Sequence, residues 1–375
     1  MEIRYLLELM VRKDASDIYL TVDLPPMYRV EGTTQPMSKK KLSAAEVTEL
    51  CQGVMDERQK KTFADTKEMN LALSYQDLGR FRVNIFQQRG HPGMVIRQIK
   101  LEIMTIDKLG LPAILKDIVM TNRGMVLVVG ATGSGKSTTL AAMIDHRNSK
   151  ASGHIVSIED PVEYVHSHKR CVITQREVGF DTLSFQAALK NSMRQAPDVI
   201  LIGEIRDTET MEAAITFAET GHLCLGTLHS NNANQAIERI LNFFEEERHP
   251  QIYLQLSLNL RSIISQRLIK TMDGRRTAAL EIMMDTPRIK DLIKKAEVDS
   301  IKEAMEQGEQ EGCKTFDASV FDLYMEGQID LDQALANADS ANNLRLRIQQ
   351  EEVKRGVKEE KKPDFRISRD VLTRN

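Results

Sequence analysis

The chain has 375 residues and a formal net charge of −3. This length is enough for two domains with separate cores, and the slightly negative charge argues against a general nucleic-acid coat. The four cysteines include no C-x-x-C pair, so we predict neither a zinc site nor a disulfide framework. Glu2 and Arg4 argue against a signal peptide, and no apolar stretch approaches the length of a membrane span.

Residues 1–100 predict a small α+β domain with a largely antiparallel sheet. Apolar residues at helical spacing indicate a first helix over 1–13. The capping box Ser43-Ala44-Ala45-Glu46 indicates the start of a second helix. Alternating apolar residues indicate strands, which we place at 18–22, 27–30, 70–75, 81–87 and 94–99.

Residues 116–345 predict an α/β domain, reached through a linker over 101–115 and a short helix over 113–121. Apolar runs alternate there with helical segments, as in a parallel sheet covered on both faces. The predicted strands are 125–129, 154–158, 171–175, 199–203 and 223–227. Further helices are predicted after them, including one over 252–270. Residues 346–375 are rich in charge, which predicts a fraying helix followed by a disordered tail.

One motif stands out between an apolar strand and a helical run: Gly130-Ala131-Thr132-Gly133-Ser134-Gly135-Lys136-Ser137, a complete G-x-x-x-x-G-K-[ST]. The glycines let several backbone N–H groups point at one anion, and the start of the helix adds its positive end. Lys136 would bridge the β- and γ-phosphates, and the Ser137 hydroxyl would hold Mg²⁺. A chance glycine-rich turn is the alternative. The predicted nucleotide-binding residues are Gly130, Ala131, Thr132, Gly133, Ser134, Gly135, Lys136, Ser137 and Thr138.

Carboxylates follow two of the predicted strands. Glu204 comes after the run 199–203, where an acid can hold the water shell of a metal ion or polarise the attacking water. Glu159, Asp160 and Glu163 surround a proline at the end of another strand, at the edge that faces a ligand crevice. They could coordinate Mg²⁺ through water or position the nucleophile. The alternatives are a strand that merely ends in a charged turn and an acidic loop in solvent.

Histidines and arginines are further candidates. His222 and His229 bracket the strand 223–227, where a neutral imidazole could sense a γ-phosphate or donate to an acid. Structural histidines are the alternative. Arg82 and Arg97 lie on strands of the first domain, and a guanidinium is well suited to stabilise a transferring phosphoryl group. Supplied from a mobile domain or a neighbouring subunit, it would make hydrolysis depend on closure, whereas arginines on the polar face of a strand are otherwise solvated.

Several segments together resemble one family. The segments 130–138, 158–164, 199–207 and 220–230 are similar to the Walker A, Asp box, Walker B and His box of the type II and type IV secretion and pilus ATPases. Three more, A-S-D-I-Y-L at 15–20, G-R-F-R-V-N-I-F-Q-Q-R-G at 79–90 and S-I-I-S-Q-R-L-I-K at 262–270, resemble the PilT/PilU family of twitching-motility retraction ATPases. The resemblance covers about residues 1–345.

The resemblance implies a PAS-like N-terminal α+β domain, a RecA-like P-loop ATPase domain with a parallel-rich sheet, and a hexameric ring that hydrolyses ATP between subunits. It also implies roles for individual residues. These are Glu204 as the catalytic glutamate, Glu163, Glu159 and Asp160 as helpers of Mg²⁺ and water, His222 and His229 at the phosphate, and Arg82 and Arg97 reaching the nucleotide across a closed interface.

Some residues depart from the PilT pattern. The segment 288–293 reads R-I-K-D-L-I where PilT carries A-I-R-N-L-I, Gln195-Ala196 stands in place of an acidic pair, and Tyr19 replaces a histidine. With the charged tail, these departures favour the PilU branch of the family. The tetracysteine zinc element of the extension ATPases does not occur here, which argues against an assembly motor.

We therefore expect a cytoplasmic motor that hydrolyses ATP with Mg²⁺ and powers or assists pilus retraction, located peripherally at the inner membrane of a Gram-negative-type bacterium, at the pole. The expected partners are further copies in a homo-hexamer, a PilT-like paralogue and a PilC-like platform protein, with no nucleic acid. The alternatives are a nucleotide-binding scaffold without its own turnover, an autonomous PilT-type motor, and a nucleic-acid translocase.

Overall fold

A computed structural model describes residues 2–30, 32–75, 77–99 and 102–354. The described residues up to 99 form one sheet with its helices, and those from 102 to 354 form a second. The predicted boundary at residue 100 and the end of the predicted tail, 355–375, lie outside the described residues.

The N-terminal part is a six-stranded antiparallel sheet with three helices. Its helices and strands are α1 (Ile3–Arg12), β1 (Asp17–Leu20), β2 (Met27–Val30), β3 (Thr33–Pro36), α2 (Ala44–Gly53), α3 (Glu57–Thr66), β4 (Glu68–Tyr75), β5 (Gly79–Gln88) and β6 (His91–Ile99). The strand order is β3-β2-β1-β6-β5-β4. We call this part the N-terminal domain.

Its sequence signals are confirmed where they are local. The predicted capping box closes at the start of α2, since the backbone N–H of Glu46 donates to Ser43 Oγ and that of Ser43 to the Glu46 carboxylate. Along β5, Phe81, Val83 and Ile85 are buried in the core, and the arginines alternate with them on the other face. Each such apolar side chain contributes about 1.5–3 kcal/mol when fully buried.

The second part is an α/β layer built on a seven-stranded sheet. Its helices and strands are α4 (Ile114–Met120), β7 (Gly124–Val129), α5 (Lys136–Lys150), β8 (Gly153–Glu159), β9 (Cys171–Glu177), α6 (Phe185–Ser192), β10 (Val199–Ile202), α7 (Thr208–Glu219), β11 (Leu223–Leu228), α8 (Ala233–Leu241), α9 (His249–Asn259), β12 (Leu260–Lys270), β13 (Arg276–Met284), α10 (Pro287–Lys294), α11 (Ile301–Gln307), α12 (Phe316–Met325), α13 (Leu331–Asn337) and α14 (Ala341–Lys354).

The strand order of the second sheet is β13-β12-β7-β11-β10-β8-β9, and all neighbours are parallel except β12 and β13. Residues of β7 alternate between two cores: Leu127 and Val129 pack on one side, and Val126 and Val128 on the other. The predicted parallel sheet with both faces covered is therefore confirmed. It agrees with the RecA-like domain that the resemblance implies, and we call this part the ATPase domain.

The helix predicted over 252–270 is wrong in its second half. α9 ends at Asn259, and the chain continues as strand β12. Ile263 pairs with Leu127 of β7 and with Met283 of β13. An apolar run with this spacing is compatible with either a helix or a buried strand. Here it forms a strand, because it pairs with two strands that are distant in sequence. Strand β13 was not predicted at all.

Both ends of the ATPase domain pack more closely than the sequence predicts. Ile106 and Leu111, within the predicted linker, are buried in the core that also contains Val126 and Val128. At the other end α14 continues to Lys354, and Ile348 is buried against α12 and β12. The charged composition after residue 346 therefore does not prevent a helix, because one face of it carries the apolar side chains.

Candidate nucleotide-binding site

Four neighbouring parallel strands end at the same edge of the ATPase sheet, and the predicted site residues follow them. The phosphate loop (130–135) follows β7, and His229 follows β11. Glu204 stands two residues after β10, and Glu159 is the last residue of β8. Residues as far apart in sequence as Gly130 and His229 therefore line one edge, because parallel strands present their carboxyl ends together.

The phosphate loop has the backbone that the motif predicts. A Cβ on Gly130 would lie 2.5 Å from the carbonyl oxygen of Gln266 and 2.5 Å from Ser134 Oγ, and φ at this position is +153°. Gly135, with φ of +89°, caps the N-terminus of α5. Only glycine tolerates both conformations easily, so the loop can curl above the first turn of the helix.

Lys136 and Ser134 have their polar atoms directed at the loop. The Lys136 ammonium donates to the carbonyl oxygens of Gly130 (2.8 Å) and Ala131 (3.0 Å). Burial lowers the pKa of Lys136, and the carboxylates of Glu204 and Glu163 oppose that shift. Ser134 Oγ is buried and has no hydrogen-bond partner among the described residues. A cradle with a partly desolvated ammonium and a spare hydroxyl fits a phosphate group.

Glu204 is held at both carboxylate oxygens. Its Oε1 lies 3.0 Å from His229 Nε2, and its Oε2 accepts from Arg206 Nε at 2.7 Å. Arg206 also approaches Asp160, with 3.7 Å between Nη1 and Oδ2. The carboxylate is thus fixed in direction beside the loop, as a residue that orients water must be.

The acidic loop (159–164) lies beside Arg206 and the first turn of α5. Glu159 accepts from Ser157 Oγ at 2.7 Å and from Gln175 Nε2 at 3.3 Å. Burial raises the pKa of Glu159, and these hydrogen bonds reduce that shift. Asp160 and Glu163 are exposed.

A hydroxyl pair joins the acidic loop to the phosphate-binding helix. Thr138 Oγ1 lies 2.8 Å from the hydroxyl of Tyr164. The backbone carbonyl of Tyr164 in turn accepts from Gln175 Nε2 at 2.9 Å. The predicted nucleotide ligand Thr138 is therefore engaged with the acidic loop through its side chain.

His222 does not join this group in the same chain, so the expectation that both histidines lie at the phosphate is wrong for His222 within one subunit. It precedes β11, and its carbonyl oxygen accepts from the N–H of Gly124 at the start of β7. That is the amino edge of the sheet, opposite the phosphate loop. Its ring nitrogen Nδ1 lies 3.2 Å from the carbonyl oxygen of Phe217, a structural contact.

Arg82 and Arg97 face each other across β5 and β6 in the N-terminal sheet. Arg97 donates to the buried Asp17 at 2.9 Å. In the described part of the chain, neither arginine forms an ion pair with the acidic loop. The arginine of this sheet that reaches the ATPase domain is Arg80, whose Nη2 lies 3.7 Å from Glu177 Oε2.

Sequence reasoning missed two residues that support the site. Gln266 on β12 is buried below the phosphate loop, and its Oε1 accepts from Thr139 Oγ1 at 2.7 Å. Arg206 holds the carboxylate of Glu204. Gln266 was hidden by the mistaken helix, whereas Arg206 was visible in the segment 199–207 as a cation two residues after an acid.

The donors present suit Mg²⁺ bound mainly through phosphate and water. In the residues that the structure describes, no three or more His, Cys, Asp or Glu side chains are grouped so that they could hold a metal ion. The predicted set is one hydroxyl, Ser137, with Glu159 and Asp160 acting through water. Mg²⁺ keeps several waters and takes few protein ligands, so the residues fit that ion.

The fold and the loop define a P-loop nucleotide-binding protein of RecA-like architecture. A family model described as "Type II/IV secretion system protein" matches residues 2–369. The chain belongs to this family.

Relatives of known name match over nearly the whole chain. The type IV pilus ATPase PilU of Pseudomonas aeruginosa is 53% identical over 93% of this chain and 91% of its own length. The type IV pilus retraction ATPase PilT of the same organism is 41% identical, over 92% of this chain and 100% of its own length. A crystal structure of the pilus retraction motor PilT with bound ADP has 37% identity and a TM-score of 0.87, and it covers 92% of this chain and 99% of its own. The described residues contain no helix that combines the length and apolarity needed to cross a bilayer.

Proposed function

We propose that this protein is an ATPase that powers or assists type IV pilus retraction as a hexameric ring. The observation that carries the proposal is the meeting of a complete phosphate loop and an oriented glutamate, Glu204, at one sheet edge. Relatives named as pilus ATPases and a retraction motor support the cellular role.

The phosphate loop would bind the triphosphate. Its backbone N–H groups and the N-terminus of α5 would contact the phosphate oxygens, and Lys136 would exchange its two carbonyl contacts for them. A recess of about 330 Å³ adjoins the loop and is lined also by Leu268, Arg276 and Asn337. This volume is within the roughly 300–1,000 Å³ of small-ligand pockets, and we assign the recess to the nucleoside.

Glu204 would orient the attacking water and accept its proton. His229 and Arg206 fix the two carboxylate oxygens in the nucleotide-free arrangement, and Arg206 must shift for a water to reach Oε2. Glu163 would assist from the acidic loop. Bound at Ser137, with Glu159 and Asp160 acting through water, Mg²⁺ would neutralise charge on the phosphates.

Closure would complete the site with arginines. We propose that Arg82 and Arg97 reach the nucleotide across a closed interface of the ring, where a guanidinium stabilises the transferring phosphoryl group. We also propose that the work of closure is passed to a PilC-like membrane platform protein, and that a PilT-like paralogue acts with this PilU-like chain. The protein would then lie in the cytoplasm against the inner membrane.

The first test is nucleotide binding and steady-state hydrolysis by the purified chain. Lys136→Ala should weaken binding of a fluorescent ATP analogue by more than about tenfold and abolish turnover, because it removes the ammonium that contacts the phosphate loop. Lys169→Ala is the control, because Lys169 is exposed and pairs with Asp145. This variant should retain both nucleotide binding and turnover.

Binding without hydrolysis in the wild-type protein would replace the motor with a nucleotide-binding scaffold of a retraction complex. Hydrolysis stimulated by DNA would instead favour a translocase.

A further inference from the structure

One short turn of the ATPase domain contacts the N-terminal domain. The turn 177–182 follows β9 and is closed by the N–H groups of Asp181 and Thr182, which donate to the carbonyl oxygen of Glu177. It places Phe180 against the hydrophobic core of the N-terminal domain. The same turn begins with Glu177, the residue that pairs with Arg80.

Glu177 is a buried acid whose paired cation comes from the other domain. Its side chain is 2% exposed, and Oε2 lies 3.7 Å from Arg80 Nη2. Arg80 is itself 24% exposed, and its Nε is buried with no hydrogen-bond partner among the described residues. A buried carboxylate depends strongly on such a partner, since removal of one member leaves a desolvated charge.

Glu177 also holds the acidic loop. The backbone N–H of Val162 donates to Glu177 Oε2 at 3.3 Å, and the N–H of Val178 donates to the carbonyl oxygen of Glu159 at 2.9 Å. Val162 lies between Asp160 and Glu163, two of the acids assigned to Mg²⁺ and water. One carboxylate oxygen therefore contacts the N-terminal domain and the acidic loop together.

We propose that Arg80 and Glu177 are positioning residues that couple the placement of the N-terminal domain to the geometry of the acidic loop. The inference rests on the proposed function, because it describes how the ATPase site senses domain closure. When the N-terminal domain stands as it does here, Arg80 compensates Glu177, and Glu177 holds Val162. When the N-terminal domain moves away, the Glu177 carboxylate loses the Arg80 guanidinium, and the acidic loop loses the contact that holds Val162.

The pairing of the two strands adds a second link between Glu177 and the acidic loop. Glu159 and Glu177 are register partners on β8 and β9, so a movement of Glu177 reaches the first residue of the acidic loop as well as Val162. The position of the N-terminal domain thus bears on two points of the loop that faces the phosphates.

The experiment compares Arg80→Met, Glu177→Gln and the double variant in the full-length protein. Methionine keeps the length and apolar volume of the arginine stem, and glutamine keeps the shape of the carboxylate. Arg89→Met is the matched control, because Arg89 is exposed in the turn between β5 and β6 of the same hairpin. Two quantities are measured: ATPase kinetics and hydrogen exchange of the peptide 159–166.

We expect Arg80→Met to lower kcat by about tenfold and to change KM for ATP by less than about twofold, since the phosphate loop is untouched. Exchange in 159–166 should rise by about tenfold, and the double variant should resemble the worse single variant, as coupled residues do. Arg89→Met should match the wild type.

Unchanged exchange in 159–166, or fully multiplicative effects in the double variant, would overturn the coupling. A melting temperature that falls equally in Arg80→Met and Glu177→Gln, with normal kcat, would also overturn it, because that pattern describes a stabilising contact alone. If the wild type has no turnover, the proposed function fails, whereas the exchange measurement still decides whether Arg80 controls the acidic loop.

Discussion

The two sheets of this protein present functional side chains in different ways. In the ATPase sheet, strands β7, β10 and β11 are buried along their whole length. Only the strand ends are free, so Glu204, His229 and the phosphate loop lie there. In the N-terminal sheet, β5 buries alternate residues, and Arg80 and Arg82 lie along its other face.

The two sheets position their functional side chains by different means. Strand order alone brings the ends of parallel strands together, so the phosphate edge is complete within one chain. By contrast, a side chain along the uncovered face of the N-terminal sheet can act only on a domain or subunit that is docked against that face. The contribution of the arginines therefore depends on how the N-terminal domain, or a neighbouring subunit, is docked.

The largest expected effect is at the strand end. Glu204→Gln keeps the shape of the side chain and removes the charge that His229 and Arg206 contact. We expect turnover to fall by more than about 100-fold with nucleotide binding retained, because the water loses its proton acceptor. Single-turnover hydrolysis and a binding titration measure the two properties separately. Normal hydrolysis in this variant would remove Glu204 from the mechanism.

An intermediate effect is expected on the open face. Arg82→Ala should lower the hydrolysis rate by about tenfold and leave the oligomer intact, since the guanidinium acts only in the closed state. The rate should be measured beside the mass of the assembly in solution, with and without ATP. A rate equal to that of the wild type would return Arg82 to a solvated surface role, and Arg80 and Arg97 would remain as the arginines of this sheet with a proposed function.

The smallest effect is expected inside a strand of the ATPase sheet. Glu281 lies inside β13 rather than at the phosphate edge, and it accepts from the N–H of Ala233 at 2.8 Å and from Ser265 Oγ at 3.0 Å. Burial raises the pKa of Glu281, and these hydrogen bonds reduce the shift. A raised pKa in the folded state means that its stabilising contribution is complete below the ordinary value of 4.5 and is lost as pH rises through the folded value.

Glu281→Gln should therefore lack this pH dependence. The melting temperature of the variant relative to the wild type should increase by roughly 2–4 °C between pH 4.5 and pH 7, with the ATPase rate unchanged. Thermal unfolding across that pH range measures the shift. A strong loss of turnover would mean that acids within the strands take part in the chemistry, contrary to the division between strand ends and strand interiors.

Much of the site could be predicted because its signals are short. The phosphate-loop motif, 130–137, is eight contiguous residues with glycine where the backbone needs positive φ, as at Gly130 and Gly135. Glu204 follows a wholly apolar run, and the capping box at Ser43 needs only Glu46 three residues later. In each case the physical cause lies within a few residues of the motif, so spacing alone reveals it.

Other features depended on partners far away in sequence. β12 is a strand because β7 and β13 pair with it, although its apolar spacing also suits a helix. His222 lies at the amino edge because of the direction of β11, and Arg80 meets Glu177 only because two domains dock. The sequence alone determined the phosphate-loop motif and its backbone conformation, since local backbone and side-chain chemistry decide these. The tertiary structure decided which side chains lie near the phosphate loop, because their positions depend on contacts between distant segments. No local pattern specifies those contacts.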